Sequence, residues 1–210
     1  MQATLIDHMG DDLTAVNAAR VSFAKKKDVF DEKDAKLVKY LASHGHTSPF
    51  FHIMLQFRIT APIFVARQWY RHTVGFARNE ESRRYISNTP NVYLPDYFRS
   101  KPEGSIKQGS AGVHEQSWAW KVNTANALNK CVELYNEMIS DGVAPEQARM
   151  VLPQGTETSW VETASLYAYA RLCNERMQPD AQVEIRDLAE KVYNQCKVVA
   201  PVSWKELTYV

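Results

Sequence analysis

Five arginines and a histidine lie in residues 67–85, together with two glutamates, an asparagine and a serine. The planar guanidinium group carries forked N–H donors that match phosphate and carboxylate oxygens, so a cluster without lysine favours the binding of a small anion. Further arginines, Arg149, Arg176 and Arg186, lie beside apolar runs or a proline. The alternative interpretation is a network of surface ion pairs, because such a network also places arginines beside glutamates.

Four of these arginines come from separate stretches and have chemistry that suits a pyrimidine nucleotide. Forked donors bind phosphate oxygens, and a cation near a ring carbonyl stabilises a pyrimidine that becomes electron-rich during reaction. The four are Arg71, Arg84, Arg149 and Arg176. The neighbouring Trp69, Tyr70 and Tyr85 could stack on a flat ring, although aromatic residues at such positions also fill cores.

No sequence motif indicates a nucleophile, a metal ion or a phosphate-binding loop. Cys131 and Cys173 lie in apolar helical stretches, where a free cysteine acts as a small apolar side chain. His44, His46 and His52 are close in sequence but lack a carboxylate at ligand spacing, so no metal site is predicted. The glycine-rich signatures of phosphate loops and dinucleotide-binding folds are missing as well.

Composition and charge favour one enzyme-sized domain over a nucleic-acid-binding module. A chain of 210 residues can bury one core, which predicts a single domain over residues 1–210. The net charge of +1 gives no general attraction to nucleic acid or to an acidic membrane, and Glu80 and Glu81 would repel a phosphate backbone. No stretch approaches the roughly 20 apolar residues of a membrane span. The cysteines lack zinc-site spacing, which favours a reduced, cytoplasmic setting.

The first part of the chain alternates predicted strands and helices. Ile53, Leu55, Phe57 and Ile59 alternate with mostly polar residues, which predicts a strand with one buried face. Acidic residues begin the predicted helices, and Gly45 ends the second of them. The predicted elements are a short edge strand at 4–7, helices at 11–20 and 31–44, a turn at 46–49 and a strand at 52–60.

The arginine-rich segment is predicted to begin on a helix. Pro62 suits the first helical turn, and the helix would continue through Arg71, bringing Arg67 and Gln68 to the same flank. Residues 90–113 are rich in Pro, Gly, Ser and Lys, which predicts a mobile loop. A mostly helical second half follows, with predicted helices at 117–140, 145–151, 160–177 and 181–199.

Five sequence motifs, in order along nearly the whole chain, resemble those of the flavin-dependent thymidylate synthases. Shorter similarities at residues 18–23, 45–50 and 107–110 agree with this resemblance. The five motifs are QWYRH at 68–72, NEESRRY at 79–85, ARMVLP at 148–153, Arg176, and AQVEIR at 181–186.

The nucleotide-side motif departs from the family signature, which is Arg-His-Arg, seven residues and then Ser. Thr73 replaces the second Arg, and eight residues separate Thr73 from Ser82. The inserted residue falls within 74–78, because both flanks match without gaps. Arg78 is a candidate to restore the missing charge.

The flavin-side motif departs as well. The family uses an Asn-x-Arg pair in the helix before Arg176, and the matching positions here are Ser165 and Tyr167, with Arg171 one turn later. Many members have Glu where this chain has Phe51.

The resemblance implies a fold, a reaction and an assembly. The fold would be α/β, with a twisted antiparallel or mixed sheet flanked by helices. The enzyme would methylate dUMP to dTMP with FAD as cofactor, methylenetetrahydrofolate as carbon donor and NADPH as reductant. It would act as a homotetramer whose active sites lie at subunit interfaces, and no cysteine adduct would be required.

The resemblance also implies two sets of binding residues and one catalytic residue. Arg176 would face the pyrimidine and stabilise its negative charge. The dUMP-binding set is Gln68, Trp69, Tyr70, Arg71, Glu80, Glu81, Ser82, Arg83, Arg84, Arg149 and Arg176. The FAD-binding set is Ser48, Arg71, His72, Thr73, Glu80, Ser165, Tyr167 and Arg171.

Two other functions stay open at this point. Thr73 and the inserted residue favour a related enzyme that acts on another pyrimidine deoxynucleotide such as dCMP, or that stops at hydroxymethylation. A non-catalytic nucleotide-binding protein that has lost its flavin is the second possibility.

Overall fold

The computed structural model describes residues 1–104 and 109–210. Its four strands are β1 (Gln2–Met9), β2 (Met54–Pro62), β3 (Phe76–Glu80) and β4 (Glu157–Ser165). They form one antiparallel sheet in the order β1-β2-β4-β3, so the predicted edge position of β1 is confirmed. The predicted α/β class, a sheet with flanking helices, is confirmed as well.

Eight α-helices occur in the described part of the chain. Two of them begin with capping boxes, in which Asp11 or Asp31 accepts a backbone N–H three residues on and that residue's side chain accepts the cap's own N–H. Short 3₁₀ helices cover Val21–Phe23, Ser48–His52 and Arg149–Val151. The α-helices are α1 (Asp12–Arg20), α2 (Glu32–Ser43), α3 (Ile63–Trp69), α4 (Ser117–Ser140), α5 (Pro145–Ala148), α6 (Leu166–Arg176), α7 (Val183–Val199) and α8 (Pro201–Leu207).

The chain forms two compact units, with boundaries before β1, inside β2, β3 and β4, and just after α3. The first unit contains residues 60–70 and 80–160 together with Met1, and the second contains residues 2–59, 71–79 and 161–210. The single domain predicted over residues 1–210 stays a prediction.

The first unit has a small core around two tryptophans. Trp69 of α3 is fully buried and Trp160 of β4 is almost fully buried, and the Tyr70 ring meets Trp160 edge to face at 5.1 Å. Helix α4 packs against α5 and the following 3₁₀ helix, yet only Ser117 and Tyr135 of its 24 residues are buried. The other residues of α4 are therefore at least partly exposed.

The second unit has the larger core. Leu55, Phe57 and Ile59 of β2 are fully buried, which confirms the face predicted from their alternation. The Phe57 ring packs edge to face on Tyr169 of α6 at 5.1 Å. Helix α7 packs on α6 and β1, and α8 packs on α2 and α6. These helices hold α6, whose outward flank carries arginines.

The predicted helix at residues 160–177 is wrong in its first part, because Trp160 to Ser165 belong to β4. Every second residue of β4 is buried, as in a half-buried strand, but two of these inward positions are Thr158 and Glu162. Polar residues on the inward face hide the alternation that identifies a strand. The second half is consequently less helical than expected.

Smaller predictions were also wrong or incomplete. Helix α3 ends at Trp69, so Arg71 lies beyond it and the expected shared flank with Arg67 does not form. Strand β3 is short and polar, and it was not predicted. Helix α8 was missed although Pro201 occupies its first turn, a favoured position for proline.

The predicted loop at 90–113 is partly held by backbone hydrogen bonds. Phe98 and Ser100 pair with His114, Gly112 and Ala111. The similarity at residues 107–110 falls partly outside the described residues, because Lys107 and Gln108 are not among them. Within residues 1–104 and 109–210, no helix is long and apolar enough to cross a membrane.

Candidate functional site

A cavity of about 510 Å³ in the first unit is lined by the residues that follow β3 and by Arg149. This volume lies in the range of small-molecule sites. Its lining combines acidic and cationic groups with a few apolar side chains. The predicted residues among them are Glu80, Glu81, Ser82, Arg83, Arg84 and Arg149.

Backbone contacts present these side chains to the cavity. The N–H of Glu81 donates to the carbonyl of Ser159, and the N–H of Tyr85 donates to the carbonyl of Ser82, which forms a turn after β3. Arg149 begins the 3₁₀ helix that follows α5, and Pro153 prevents the helix from continuing. A turn and a helix end thus supply the cavity's cations.

The arginines of this cavity keep donors available for a ligand. Arg83 Nη1 donates to the carbonyl of Asn88 at 2.6 Å, and Arg149 Nε donates to the carbonyl of Glu146 at 3.2 Å. The Arg84 guanidinium lies 5.0 Å from the centre of the Tyr85 ring. Because each guanidinium has five N–H donors, these contacts leave several for an anion such as phosphate.

One acidic member of the same cavity is held in place. The hydroxyl of Thr158 donates to Glu80 Oε1 at 2.6 Å. Thr158 occupies an inward position of β4, so the sheet fixes the Glu80 carboxylate. Such a fixed acceptor suits ring N–H or sugar hydroxyl groups.

A second cavity, of about 270 Å³, lies in the second unit between residues 71–76 and α6. Ala168, Arg171 and Glu175 lie three and four residues apart, so they share one flank of α6. Three arginines outnumber the one glutamate and make this cavity cationic. Its predicted residues are Arg71, His72, Thr73, Arg171 and Arg176, and the sequence analysis missed Val74, Phe76, Ala168 and Glu175.

His72 links the two sides of this cavity. Its Nε2 accepts a hydrogen bond from Arg176 Nε at 2.8 Å, which requires a neutral imidazole with its proton on Nδ1. Burial, and next the Arg176 charge, lower the pKa of His72 to about 4. The Glu175 carboxylate, 3.9 Å from Nε2, opposes this shift, whereas Arg78 and Arg171 reinforce it.

Arg78 does not serve as an open cation in place of the arginine missing at Thr73. Its Nε donates to Glu162 Oε2 at 2.7 Å, and Glu162 is fully buried. Its Nη1 donates to the carbonyl of His72 at 2.6 Å. The Arg78 charge is thus neutralised inside the second unit, and Arg171 and Arg176 supply positive charge to the cavity instead.

A neighbouring cavity of about 390 Å³ in the second unit shares Arg171 and Glu175 and is also lined by Thr47 and Tyr167. The Tyr167 ring meets Phe51 edge to face at 5.2 Å. An aromatic pair thus stands at the two positions where the family resemblance leads one to expect Arg and Glu.

Three predicted site residues have structural surroundings that differ from an open binding surface. Trp69 is fully buried in the core of the first unit. Ser165 is also buried, and its hydroxyl caps α6 by accepting the N–H of Ala168 at 3.2 Å. Tyr70 is half-buried against Trp160. Of two other predicted residues, Gln68 is half-buried on α3 and Ser48 is exposed in the second 3₁₀ helix.

The structure gathers the predicted arginines in pairs. Arg84 and Arg149 line the cavity of the first unit, and Arg71 and Arg176 line the smaller cavity of the second. Among the described residues, no cluster of His, Cys, Asp and Glu could hold a metal ion. Cys173 and Cys196 are fully buried, and burial raises the pKa of both thiols well above the usual value.

The sequence matches known proteins over nearly its full length. Residues 4–202 match the family described as thymidylate synthase complementing protein. A flavin-dependent thymidylate synthase of Thermosipho africanus is 39% identical over 199 residues, which cover 94% of this chain and 86% of that protein. One of Thermus thermophilus is 38% identical over 205 residues, covering 95% of this chain and 73% of that protein.

Solved structures agree with these relatives. The fold is similar to that of PolB, a UMP/dUMP methylase from Streptomyces cacaoi, in a crystal structure with bound 5-Br dUMP. The TM-score is 0.86 at 28% identity, covering 98% of this chain and 93% of that one. A second structure of PolB, with bound 5-Br UMP, gives a TM-score of 0.85 at 29% identity, covering 98% of this chain and 92% of that one.

Proposed function

We propose that this chain, which belongs to the flavin-dependent thymidylate synthase family, methylates dUMP to dTMP. Methylenetetrahydrofolate would give the one-carbon unit, NADPH would be the reductant and FAD the cofactor. The names of the relatives support the flavin and the thymidylate product. The names and bound ligands of the structural neighbours support a uridine nucleotide as substrate.

The observation that carries the proposal is the cavity of the first unit. Arg83, Arg84 and Arg149 line a space of about 510 Å³, and their forked donors suit the phosphate of a nucleotide. Glu80, fixed by Thr158, adds an acceptor for the sugar or the ring. We assign the phosphate of dUMP to the three arginines.

The residues of the smaller cavity fit a flavin nucleotide. Arg71 and Arg171 give a positive potential for its phosphates, and Phe76 gives an apolar surface. Gly75 has a φ of +82°, and a side chain there would approach Ala168 to 3.3 Å, so the backbone lies close to α6. When bound, the flavin would supply the redox chemistry.

Within this proposal, Arg176 is the catalytic residue. Its guanidinium would stabilise negative charge that develops on the pyrimidine ring, as a preorganised cation does in a water-poor site. The neutral His72 accepts from its Nε and so fixes the direction of the side chain. Tyr167 and Thr73 take positions at the cavities where the flavin would bind.

We further propose a homotetramer with active sites at subunit interfaces, in the cytoplasm. FAD is larger than a cavity of 270 Å³ can enclose, so a neighbouring subunit would complete its site. Helix α4 supports association, because Trp118 and Val122, four residues apart on one flank, are exposed with fractions of 78% and 39%. Large exposed apolar surfaces mark protein interfaces.

UMP is the second candidate substrate, since PolB, with which this chain shares its fold, is a UMP/dUMP methylase. We would therefore incubate the protein with FAD, methylenetetrahydrofolate and NADPH and with dUMP, UMP or dCMP in turn. A product heavier than dUMP by one methylene supports the main proposal. A hydroxymethyl product, or turnover of dCMP alone, contradicts it.

Arg176→Ala is the matched variant for this assay. It should bind flavin and fold, but it should lose on the order of 100-fold or more of turnover, because a preorganised charge contact is removed. Near-normal turnover would refute the role of Arg176. A colourless protein that takes up no added FAD would instead indicate a non-catalytic nucleotide-binding homologue.

A further inference from the structure

A buried ion pair lies directly behind the smaller cavity, in the second unit. Glu162 is on the inward face of β4 and is fully buried, and Arg78 of β3 donates to it from Nε at 2.7 Å. Neither residue lines the cavity. Taking two charges out of water is costly, so such a pair contributes little to stability by itself.

The Arg78 guanidinium does more than neutralise Glu162. Its Nη1 donates to the backbone carbonyl of His72 at 2.6 Å, and its guanidinium carbon lies 4.4 Å from the centre of the Phe76 ring. Phe76 in turn meets the buried Tyr169 edge to face at 5.2 Å. Arg78 is thereby fixed on two sides while it holds the backbone at one wall of the cavity.

His72 transmits this restraint to the cavity. Its carbonyl is held by Arg78, and its imidazole accepts from Arg176. A continuous series of contacts therefore runs from Glu162 through Arg78 and His72 to Arg176. The charged groups around the imidazole are Arg176, Glu175, Arg78 and Arg171.

We propose that the Glu162–Arg78 pair is a positioning element that fixes His72 and, through it, the guanidinium of Arg176. This role rests on the proposed function as far as Arg176 is catalytic. A misplacement of about 1 Å at a reacting group can cost roughly 100-fold in rate, so a rigid support behind Arg176 has a large effect on turnover.

A contrasting buried charge in the same unit separates positioning from general stability. Asp34 has no exposed surface; its Oδ2 accepts from Lys27 Nζ and its Oδ1 forms an ion pair with Arg20 Nη1, each at 2.6 Å. None of these three residues lines a cavity described above. Asp34→Asn should lower stability and leave turnover per folded molecule unchanged.

The test compares three variants with that control. Glu162→Gln removes the negative charge beside Arg78, Arg78→Met removes the positive charge beside Glu162, and the double variant removes both charges. All three should lower kcat by roughly 10- to 100-fold, with a smaller change in KM, since the lost contact acts on the transition state. The double variant should recover folding stability, because no buried charge is left unpaired, but it should not recover turnover.

If the double variant recovers turnover together with stability, the proposal is overturned. Glu162 and Arg78 would then only neutralise each other's charge, without positioning His72. Loss of turnover in Asp34→Asn to the same extent as in Glu162→Gln would overturn the proposal as well. In either case the losses would follow stability, not the position of Arg176.

The pH titration of the His72 ring, followed by NMR, is a measurement that does not depend on catalysis. The ring signals of His72 are identified as those missing from the spectrum of His72→Gln. In wild type the ring should stay neutral with its proton on Nδ1. In Glu162→Gln, which keeps the Arg78 charge, the His72 pKa should rise toward the ordinary value as the ring becomes solvated; in the two variants without Arg78 the loss of its charge raises the pKa as well. An unchanged titration in Glu162→Gln would overturn the positioning role. If wild type methylates no nucleotide, the proposed function fails, and this titration still supports or overturns the positioning of His72.

Discussion

The depressed pKa of His72 makes a specific prediction about stability and pH. The folded protein holds the imidazole neutral, with a pKa of about 4, whereas the ordinary value of 6.5 applies to the unfolded chain. Between these values the unfolded chain binds more protons than the folded one. The contribution of His72 to stability is therefore present above about pH 6.5 and is lost as the pH falls toward 4.

The size of the effect follows from the two pKa values. At about pH 5 the imidazole is mostly protonated in the unfolded chain and mostly neutral in the folded protein. This difference in proton binding corresponds to about 2 kcal/mol of unfolding free energy. The side chain keeps 11% of its surface exposed, so solvent screening reduces this figure. We expect wild type to lose about 1 to 2 kcal/mol of unfolding free energy through His72 between about pH 8 and about pH 5.

His72→Gln is the variant that measures this contribution. Its amide oxygen can still accept from Arg176, but it does not titrate. Urea unfolding of wild type and variant at both pH values gives the difference in unfolding free energy, which should shift by about 1 to 2 kcal/mol in favour of the variant at the lower pH. His52→Gln, which removes an exposed imidazole, is the control. A difference that is the same at both pH values would refute the reasoning.

Two further predictions concern buried groups. In the folded protein a thiol reagent should modify Cys131 alone, because Cys173 and Cys196 are fully buried and their thiols have raised pKa values. All three thiols should react once denaturant unfolds the protein. Rapid labelling of three thiols without denaturant would contradict this burial. Asp34→Asn should lower the unfolding free energy by roughly 3 kcal/mol, since Arg20 and Lys27 lose the buried carboxylate that they share. An unchanged midpoint of urea unfolding would show that these ion pairs do not stabilise the fold.

Several elements could be predicted from the sequence because their signals are local. The alternation around Phe57 identified β2 and its buried face, and the spacing in α4 identified a helix over residues 117–140. Such periodic patterns report which residues of one segment face the same side. The resemblance of the motifs to one enzyme family followed from the same kind of local reading, and it is confirmed.

Part of the candidate site was visible in the sequence for a related reason. Arginine has few reasons to cluster without lysine, so the type and density of residues 67–85 indicated an anionic ligand. The spacing argument for Arg71 was wrong, because α3 ends at Trp69 and a helical flank does not extend past the helix. In this segment the types of residue predicted the kind of ligand, whereas the assumed helical spacing did not predict where Arg71 lies.

Only the tertiary structure decided how the charges are shared. Arg78 looked like a replacement for the arginine missing at Thr73, yet Glu162, 84 residues away in sequence, takes up its charge. Glu162 also hid β4 from the sequence reading, because it puts a carboxylate where strands normally place apolar residues. Contacts between distant segments depend on which strands become neighbours in the sheet. The spacing of apolar residues within one segment does not show which strands pair. The sequence by itself thus determined the kinds of groups available and most of the elements that carry them, while the sheet determined which arginines are neutralised and which line a cavity.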